Sequence, residues 1–300
     1  MTELTGRPVG FVGLGAMGLP MSLNLRQAGY EVVAWNRSQP ARLAAEAAGC
    51  AVADTVRAIA DQCPIVITML PDLPQLAALL DGPKGLLAGE SMTHLIVMST
   101  VSPIAIRTMA DHLATHDVQL VDAPVSGGTK GARAATLAIS VGAEESVFAT
   151  VRPYLEAMGS LVRLMGPVGA GSLTKACNQL VVAGTVAALA EAVQLGERGG
   201  LDIESLLNIF GAGLAQSEVL TQKRHHYATS DFAGGGPIEY LLKDLRIVAE
   251  SGASTMAALP LTGLLVQLCQ AVVAQGDGPL DSSSLLRLLR QLSRPRSVQS

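Results

Sequence analysis

Three glycines near the start of the chain restrict its fold more than any other feature. Gly13, Gly15 and Gly18 stand in the spacing G-x-G-x-x-G, directly after the apolar run PVGFVG. A long amphipathic stretch follows to Gln27, and YEVVAWN then has the composition of a second strand. The order strand, glycine turn, helix, strand predicts a βαβ unit, with which a parallel sheet can begin.

The alternation of strands and helices continues to about residue 143. Four further apolar runs have the composition of strands, and Ala-rich helical stretches separate several of them: PIVITML near 64–70, THLIVMST near 93–100, VQLVDAPV near 118–125 and TLAISVGA near 136–143. Strands that alternate with helices predict a mostly parallel sheet covered on both faces. We therefore predict an α/β domain of the Rossmann type in the first half of the chain.

The second half has a different character. After Gly166 the strand-like runs disappear, and helical periodicity continues through YLLKDLRIVAESG and SSLLRLLRQL. A chain of 300 residues is also longer than the usual single domain of about 100 to 200 residues. We predict a domain boundary near 166, with the α/β domain over 1–166 and an all-α domain over 167–300. The GGGP run at 234–237 is expected to be a flexible loop.

Charge and composition narrow the possible partners. The 21 Lys and Arg residues and 25 Asp and Glu residues give a net charge of −4, which offers no basic surface for nucleic acid or an anionic membrane. The longest uninterrupted apolar stretch, 180–190, is shorter than the roughly 20 residues that cross a bilayer, and the first residues lack the pattern of a secretory signal. We expect a cytoplasmic protein that acts on a small molecule.

The four cysteines do not form a recognisable pattern. They show no CxxC pair and no spaced histidines, so we expect neither a metal site nor a disulfide framework. Reduced thiols that fill space in a cytosolic protein are the simplest interpretation. The four are Cys50, Cys63, Cys177 and Cys269.

The glycine turn also has the chemistry of a dinucleotide site. The first glycine permits the tight turn, the second lets the backbone approach a pyrophosphate, and the third lets helix and strand pack closely. A plain glycine turn is the alternative, but this one follows a strand and opens a helix, as a dinucleotide site requires. The predicted cofactor contacts here are Gly13, Leu14, Gly15, Ala16, Met17 and Gly18.

The end of the second strand indicates which dinucleotide is bound. Sites for NAD normally carry an acidic residue there, whereas this chain has Asn36, Arg37 and Ser38. No carboxylate would repel a 2′-phosphate, and Arg37 could pair with one while stacking on adenine. The sequence therefore favours NADP, with NAD possible. The alternative is that Arg37 is a solvated turn residue.

A second glycine turn, in DAPVSGGTKGA, predicts the substrate end of the site. Ser126, Gly127 and Gly128 are expected directly after a strand. Successive backbone amides without bulky side chains can form a concave anion site, and a carboxylate is a suitable guest. Taken alone, this segment could equally be an ordinary turn.

Lys175 and Asn178 stand near the start of a predicted helix that begins about Ser172. They are three residues apart, and Gln179 is four from the lysine, so all three share one helix face. A lysine shielded from water can exchange a proton with a substrate hydroxyl or carbonyl, while Asn178 holds the same oxygen or its neighbour. The alternative is a lysine that extends its amine to solvent.

These stretches together resemble the β-hydroxyacid dehydrogenases, the family of 3-hydroxyisobutyrate dehydrogenase, tartronate semialdehyde reductase and related glyoxylate or succinic semialdehyde reductases. The similarity covers nearly the whole chain, and its motifs are GFVGLGAMGLPMSLNL, ITMLPD, STVSP, DAPVSGGTKGA, GAGSLTKACNQ and LLKDL. The chain departs from the family's common pattern at Met98, Ala135 and Ala143, none of which has a chemical role.

The resemblance implies roles for individual residues. Lys175 would be the catalytic acid/base, and Ser126, Gly127, Gly128 and Asn178 would hold the substrate's carboxylate and reacting oxygen. Further cofactor contacts are implied at Leu70, Pro71, Thr100 and Lys243. From spacing alone, Lys243 belongs to a solvated helix face, and it is not expected to pair with the adjacent Asp244.

The resemblance also implies an activity and an assembly. We expect an NADP-dependent oxidoreductase that interconverts a small 3-hydroxy acid and its semialdehyde, or reduces a short aldehyde or oxo acid. A homodimer or homotetramer through the helical domain is implied. The alternatives are an imine reductase, although those resembling this fold generally lack the lysine, and a non-catalytic NADP-binding interaction protein.

Overall fold

The computed structural model describes residues 6–293. The chain divides into two compact units, and the division falls between Lys175 and Ala176. This point lies inside a long helix, whereas the boundary predicted near 166 precedes that helix.

A nine-stranded sheet forms the centre of the first unit, in the order β3-β2-β1-β4-β5-β6-β8-β7, with β9 paired to β8. Its strands are β1 (Val9–Val12), β2 (Val32–Trp35), β3 (Ala51–Val52), β4 (Ile65–Thr68), β5 (His94–Val97), β6 (Gln119–Asp122), β7 (Val125–Ser126), β8 (Ala138–Gly142) and β9 (Leu161–Gly166). The order reverses at β1, which pairs in parallel with both β2 and β4. Ligands bind outside the carboxyl ends of the strands at such a reversal.

The predicted α/β fold is confirmed. All pairs from β3 to β6 are parallel, while β8 runs antiparallel to β6 and β7 and parallel to β9. Strands β3 and β9 were not predicted from the sequence. The first has only two residues, and the second alternates buried and exposed side chains, so neither presents a continuous apolar run.

Helices cover both faces of this sheet, as predicted. Successive residues of a strand point to opposite faces, so Phe11 of β1 lies in one apolar core and Val12 in the other. The helices are α1 (Gly18–Gln27), α2 (Gln39–Ala47), α3 (Val56–Ala60), α4 (Leu73–Leu80), α5 (Pro103–Ala114), α6 (Gly128–Ala134) and α7 (Glu145–Glu156).

The second unit is helical, as predicted. It contains α9 (Ile203–Ala212), α10 (Glu218–Thr229), α11 (Ile238–Thr255), α12 (Pro260–Val272) and α13 (Leu285–Leu292), together with most of α8 (Ala170–Arg198). Ala183, Ala187 and Ala190 lie three or four residues apart on α8 and form part of its single core. Tyr227 of α10 is buried there and donates a hydrogen bond to Val186 O at 2.9 Å.

The length of α8 bears on the prediction that the chain does not cross a membrane. Among residues 6–293, α8 is the one helix that is long and apolar enough to do so by length and composition. Core helices pass the same test, and α8 contributes side chains to the core of the second unit.

Candidate active site

The first glycine turn has the close packing that its residue types require. Gly13 follows β1 with φ +99° and donates to Trp35 O at 3.0 Å. A Cβ on Gly13 would lie 2.4 Å from Met69 O, and one on Gly18 would lie 1.8 Å from Gly13 O. Any side chain at either position would therefore displace backbone.

Gly15 has a different environment. No atom lies within 4 Å of where its Cβ would be, and both Gly15 and Ala16 are exposed. Helix α1 begins just beyond, after Met17, and no acidic residue stands in its first turn. Open space in front of glycine backbone and an uncompensated helix N-terminus suit a pyrophosphate, so this segment fits a dinucleotide.

The end of β2 is tied to this turn by Asn36. Its Oδ1 accepts a hydrogen bond from Leu14 N at 3.0 Å, and its Nδ2 donates to Ser38 Oγ at 3.3 Å. Leu14 itself is buried, so its side chain belongs to the core. Arg37 is exposed and makes no ion pair with any residue between 6 and 293, which leaves its guanidinium available to a ligand.

The residues implied at the ends of β4 and β5 lie at the same edge of the sheet. Leu70 and Pro71 follow β4, Thr100 follows β5, and these strands run parallel to β1. Ser99 joins the two segments, since its Oγ accepts from Leu70 N at 3.1 Å and donates to Leu70 O at 2.6 Å. Sequence reasoning missed Ser99, because a buried serine has no distinctive pattern.

The second glycine turn brings Lys175 against Ser126. Ser126 ends β7, Gly127 has φ +131°, and α6 begins at Gly128 with φ +62°. Lys175 Nζ donates to Ser126 Oγ at 3.2 Å. Both glycines are exposed and follow Ser126 directly in the chain, so the segment predicted to hold an anion begins at the residue that contacts the lysine.

A buried carboxylate supports the segment that carries Lys175. Asp122, the last residue of β6, is fully buried and accepts hydrogen bonds from Gly169 N at 2.7 Å and Ser172 N at 2.6 Å. Burial raises the pKa of this carboxyl above its ordinary value of 3.8, although these hydrogen bonds oppose the shift. Asp122 begins the DAPVSGGTKGA motif, but no role for it was predicted from the sequence.

The remaining predicted residues belong to the second unit and form one polar chain. Asn178 Nδ2 donates to Gln179 Oε1 at 3.0 Å, and Gln179 Nε2 donates to Asp244 Oδ2 at 2.6 Å. Lys243 Nζ lies 3.1 Å from Asp244 Oδ1. The expectation that Lys243 and Asp244 do not pair was wrong, because a lysine side chain is long enough to fold back on its neighbour.

The four cysteines differ in how deeply they are buried. Cys50, Cys63 and Cys269 are buried, and burial raises the pKa of Cys63 to about 12 and of Cys269 to about 11. Cys177 is exposed, so the filler interpretation does not describe it. Among residues 6–293 there is no group of three side chains that could hold a metal ion.

Comparison with known proteins identifies the class to which this arrangement belongs. Residues 8–166 match the family model described as the NAD binding domain of 6-phosphogluconate dehydrogenase. Residues 169–289 match the NAD-binding region of NADP-dependent 3-hydroxyisobutyrate dehydrogenase. Together with the open glycine turn, these matches define an NAD(P)-dependent dehydrogenase that acts on a CH–OH group.

Individual relatives indicate which family of dehydrogenases the chain belongs to. The chain is 36% identical to 2-(hydroxymethyl)glutarate dehydrogenase of Eubacterium barkeri, over 95% of each chain. It is 32% identical to 2-hydroxy-3-oxopropionate reductase of Escherichia coli (strain K12), over 95% of this chain and 98% of the relative. A structure of Mycobacterium tuberculosis 3-hydroxyisobutyrate dehydrogenase with L-serine superimposes with a TM-score of 0.84 at 33% identity, over 95% of this chain and 99% of the other. The chain belongs to the β-hydroxyacid dehydrogenase family.

Proposed function

We propose that this enzyme uses NADP(H) to interconvert a small 3-hydroxy acid and its semialdehyde, or to reduce a short aldehyde or oxo acid. The contact between Lys175 Nζ and Ser126 Oγ, beside two exposed glycines, carries the proposal. It joins a proton donor to an anion-binding turn, and those are the two parts that carbonyl reduction of a carboxylic acid needs. The relatives named above act on acids of this kind, which supports the substrate class.

Each part of the site has a role in this reaction. The nicotinamide supplies the hydride when bound. The amides of Gly127 and Gly128 and the hydroxyl of Ser126 hold the substrate carboxylate. Lys175 donates a proton to the carbonyl oxygen in reduction and takes it back from the hydroxyl in oxidation, so hydride and proton together balance the reaction.

Asn178 would hold the reacting oxygen or its neighbour. The hydrogen bond that it donates to Gln179 uses one of its two amide hydrogens. The other amide hydrogen is proposed to bind the substrate oxygen. Lys243, at the other end of the same polar chain, is proposed to contact the cofactor.

The preference for NADP rests on the end of β2. Arg37 is exposed there, and the sequence from Asn36 to Arg42 contains no acidic residue that would repel a 2′-phosphate. The remaining proposed cofactor contacts lie along the same edge of the sheet. They are the backbone of the 13–18 turn, Asn36, Ser38, Leu70, Pro71 and Thr100.

We also propose a cytoplasmic homodimer or homotetramer that assembles through the helical unit. On α8, Val181 is 69% exposed and Leu195 is 76% exposed, and four turns separate them on one face. Apolar side chains repeated along a face in this way suit contact with a second copy. Light scattering coupled to size-exclusion chromatography would measure the assembly, and a monomer at all concentrations would overturn this part.

The test follows oxidation of NADPH and NADH by absorbance with glyoxylate, succinic semialdehyde, methylmalonate semialdehyde and tartronate semialdehyde. Lys175→Ala should lower kcat about 10²- to 10⁴-fold while NADPH still binds. Lys130→Ala is the matched control, because Lys130 is exposed on α6 beside the same glycine turn. Equal rates in wild type and Lys175→Ala would exclude the acid/base role.

The same assay tests the cofactor. Arg37→Ala should raise KM for NADPH more than KM for NADH, since both carry the adenine on which Arg37 would stack and only NADPH carries the 2′-phosphate. An equal effect on both would contradict the assignment of Arg37. No turnover of any acid despite tight NADPH binding would direct the search to imines first and to a binding protein second.

A further inference from the structure

Asp122 caps the helix that carries the proposed proton donor. Its two carboxylate oxygens accept separate hydrogen bonds, Oδ1 from Gly169 N and Oδ2 from Ser172 N. Helix α8 begins at Ala170, so these amides lie in and just before its first turn, where backbone N–H groups have no partner within the helix. The carboxylate therefore fixes where α8 starts.

The surroundings of this carboxylate leave α8 little freedom to move. A Cβ on Gly142 would lie 2.1 Å from Asp122 Oδ1, and a Cβ on Gly171 would lie 2.5 Å from Ser140 O and 2.7 Å from Asp122 O. Ser140 Oγ also donates to Gly171 O at 3.1 Å. The start of α8 is thus packed directly against β6 and β8, and glycines occupy the positions where any side chain would separate them.

The same two segments meet a second time at the active site. Ser126 follows Asp122 by four residues, and Lys175 follows Ser172 by three. Lys175 lies within one turn of Ser172 on the same helix, so a carboxylate that fixes the Ser172 amide also fixes the turn that presents Lys175 to Ser126. A rotation of α8 by one residue, about 100°, would carry the amine away from Ser126.

We propose that Asp122 is a positioning residue for Lys175, and this inference rests on the proposed acid/base role of Lys175. A carboxylate suits the task because it offers two acceptors to two amides. An asparagine offers one acceptor, and its NH₂ group would face the second N–H. The residue acts through the helix and does not touch the substrate.

The experiment is a double-mutant cycle between Asp122→Asn and Lys175→Ala. Two quantities are measured: kcat for the carbonyl acid that the wild-type enzyme reduces fastest, and Kd for NADPH. We expect Asp122→Asn to lower kcat about 10- to 100-fold in the wild-type background, because small displacements of a catalytic group have costs of this size. In the Lys175→Ala background it should change the residual rate by less than about 3-fold, since no amine is left to misplace. Kd for NADPH should be unchanged in both.

Asp202→Asn is the matched control. Asp202 also caps a helix, accepting from Ser205 N at 2.8 Å, but α9 carries none of the proposed site residues. The inference is overturned if Asp122→Asn lowers the rate by the same factor in both backgrounds, or if Asp202→Asn lowers kcat as much. If Lys175→Ala retains full activity, the proposed function fails first and separately.

A second variant keeps the inference testable if Asp122→Asn does not fold, as judged by NADPH binding. Gly142→Ala leaves the charge in place and forces the Asp122 carboxylate aside. It should lower kcat in the same direction and lose its effect in the Lys175→Ala background. A Gly142→Ala enzyme with wild-type kcat would overturn the inference.

Discussion

Each unit of the molecule contains a fully buried aspartate, and the two have opposite pKa shifts. Asp122 in the first unit is held by backbone amides, and burial raises its pKa. Asp281 in the second unit is buried as deeply, which also acts to raise its pKa, but an ion pair with Lys223 and hydrogen bonds from Ser283 lower it overall. Equal burial therefore does not determine the direction in which the pKa of a carboxyl shifts, because the charge of its partners also contributes.

The opposite pKa shifts correspond to the different partners of the two carboxylates. The Asp281 carboxylate is bound by three residues. Lys223 of α10 donates to it, and Gly236 N donates at 2.9 Å. Ser283 donates twice, through its N at 2.9 Å and its Oγ at 2.6 Å. A Cβ on Gly235, which has φ +71°, would lie 2.1 Å from Asp281 Oδ2. Gly235 and Gly236 of the glycine run thus lie against a carboxylate, a contact that the expectation of a flexible loop at 234–237 did not include.

The largest effect on stability is expected from Asp281→Asn. Lys223 has only 13% of its side chain exposed, so the variant leaves a mostly buried ammonium without its counter-charge. Breaking a buried pair in this way costs about 3–5 kcal/mol of unfolding free energy. Urea denaturation followed by circular dichroism measures it, and Asp231→Asn, at an exposed site in the same unit, should stay within about 0.5 kcal/mol of wild type.

An apolar replacement of the whole pair distinguishes charge from packing. Lys223→Met combined with Asp281→Leu should recover part of the lost stability, because no uncompensated charge remains. A double variant as unstable as Asp281→Asn would show that the hydrogen bonds to Gly236 and Ser283 carry the stability. In that case the two buried aspartates would resemble each other more than their pKa shifts indicate.

The opposite pKa shifts also predict opposite pH dependences. For Asp281 the folded pKa lies below the ordinary 3.8, so its contribution to stability is complete above 3.8 and is lost as pH falls through the folded pKa. For Asp122 the folded pKa lies above 3.8, so stability decreases as pH rises through that raised pKa. A tenfold change in the acid dissociation constant on folding corresponds to about 1.4 kcal/mol of unfolding free energy.

Unfolding free energies measured between pH 7 and pH 3 test these signs. The advantage of wild type over Asp281→Asn should shrink toward pH 3, whereas the difference between wild type and Asp122→Asn should move in favour of wild type. Parallel trends for the two variants would contradict the comparison.

A third aspartate, Asp244, is bound by one neutral amide and one lysine, and an activity assay tests its role. Asp244 is 7% exposed, accepts a hydrogen bond from the Gln179 amide and forms an ion pair with the ammonium of Lys243. Because the carboxylate can only accept, it fixes the orientation of the Gln179 amide. Gln179 Oε1 is then placed to accept the hydrogen bond from Asn178 Nδ2. Asp244→Asn allows the amides to flip, and we expect kcat/KM to fall about 10-fold, the equivalent of one net hydrogen bond.

The matched control for that variant is Glu239→Gln, on the same helix α11 and exposed. Its kcat/KM should match wild type. An unchanged kcat/KM in Asp244→Asn would show that the Asn178 amide is oriented without this chain of hydrogen bonds.

These aspartates mark the limit of what could be predicted from the sequence. The fold class followed from the glycine turn and the alternation of apolar runs, because those patterns are local and repeat along the chain. The face shared by Lys175 and Asn178 followed from helix periodicity. Asp122 is bound by Gly169, Asp244 by Gln179 and Asp281 by Lys223, which lie 47, 65 and 58 residues away in the chain, and no local pattern specifies such contacts.

The smallest effect is expected from Ser283→Ala, which separates the neutral partners of Asp281 from the charged one. The variant removes the hydrogen bond from Ser283 Oγ and leaves Lys223, Gly236 N and Ser283 N in place. One net hydrogen bond is worth about 1 kcal/mol of unfolding free energy. Ser284→Ala is the control, because the buried Ser284 hydroxyl makes no hydrogen bond among the described residues. A loss in Ser283→Ala as large as in Asp281→Asn would mean that neutral donors hold this carboxylate, as they hold Asp122.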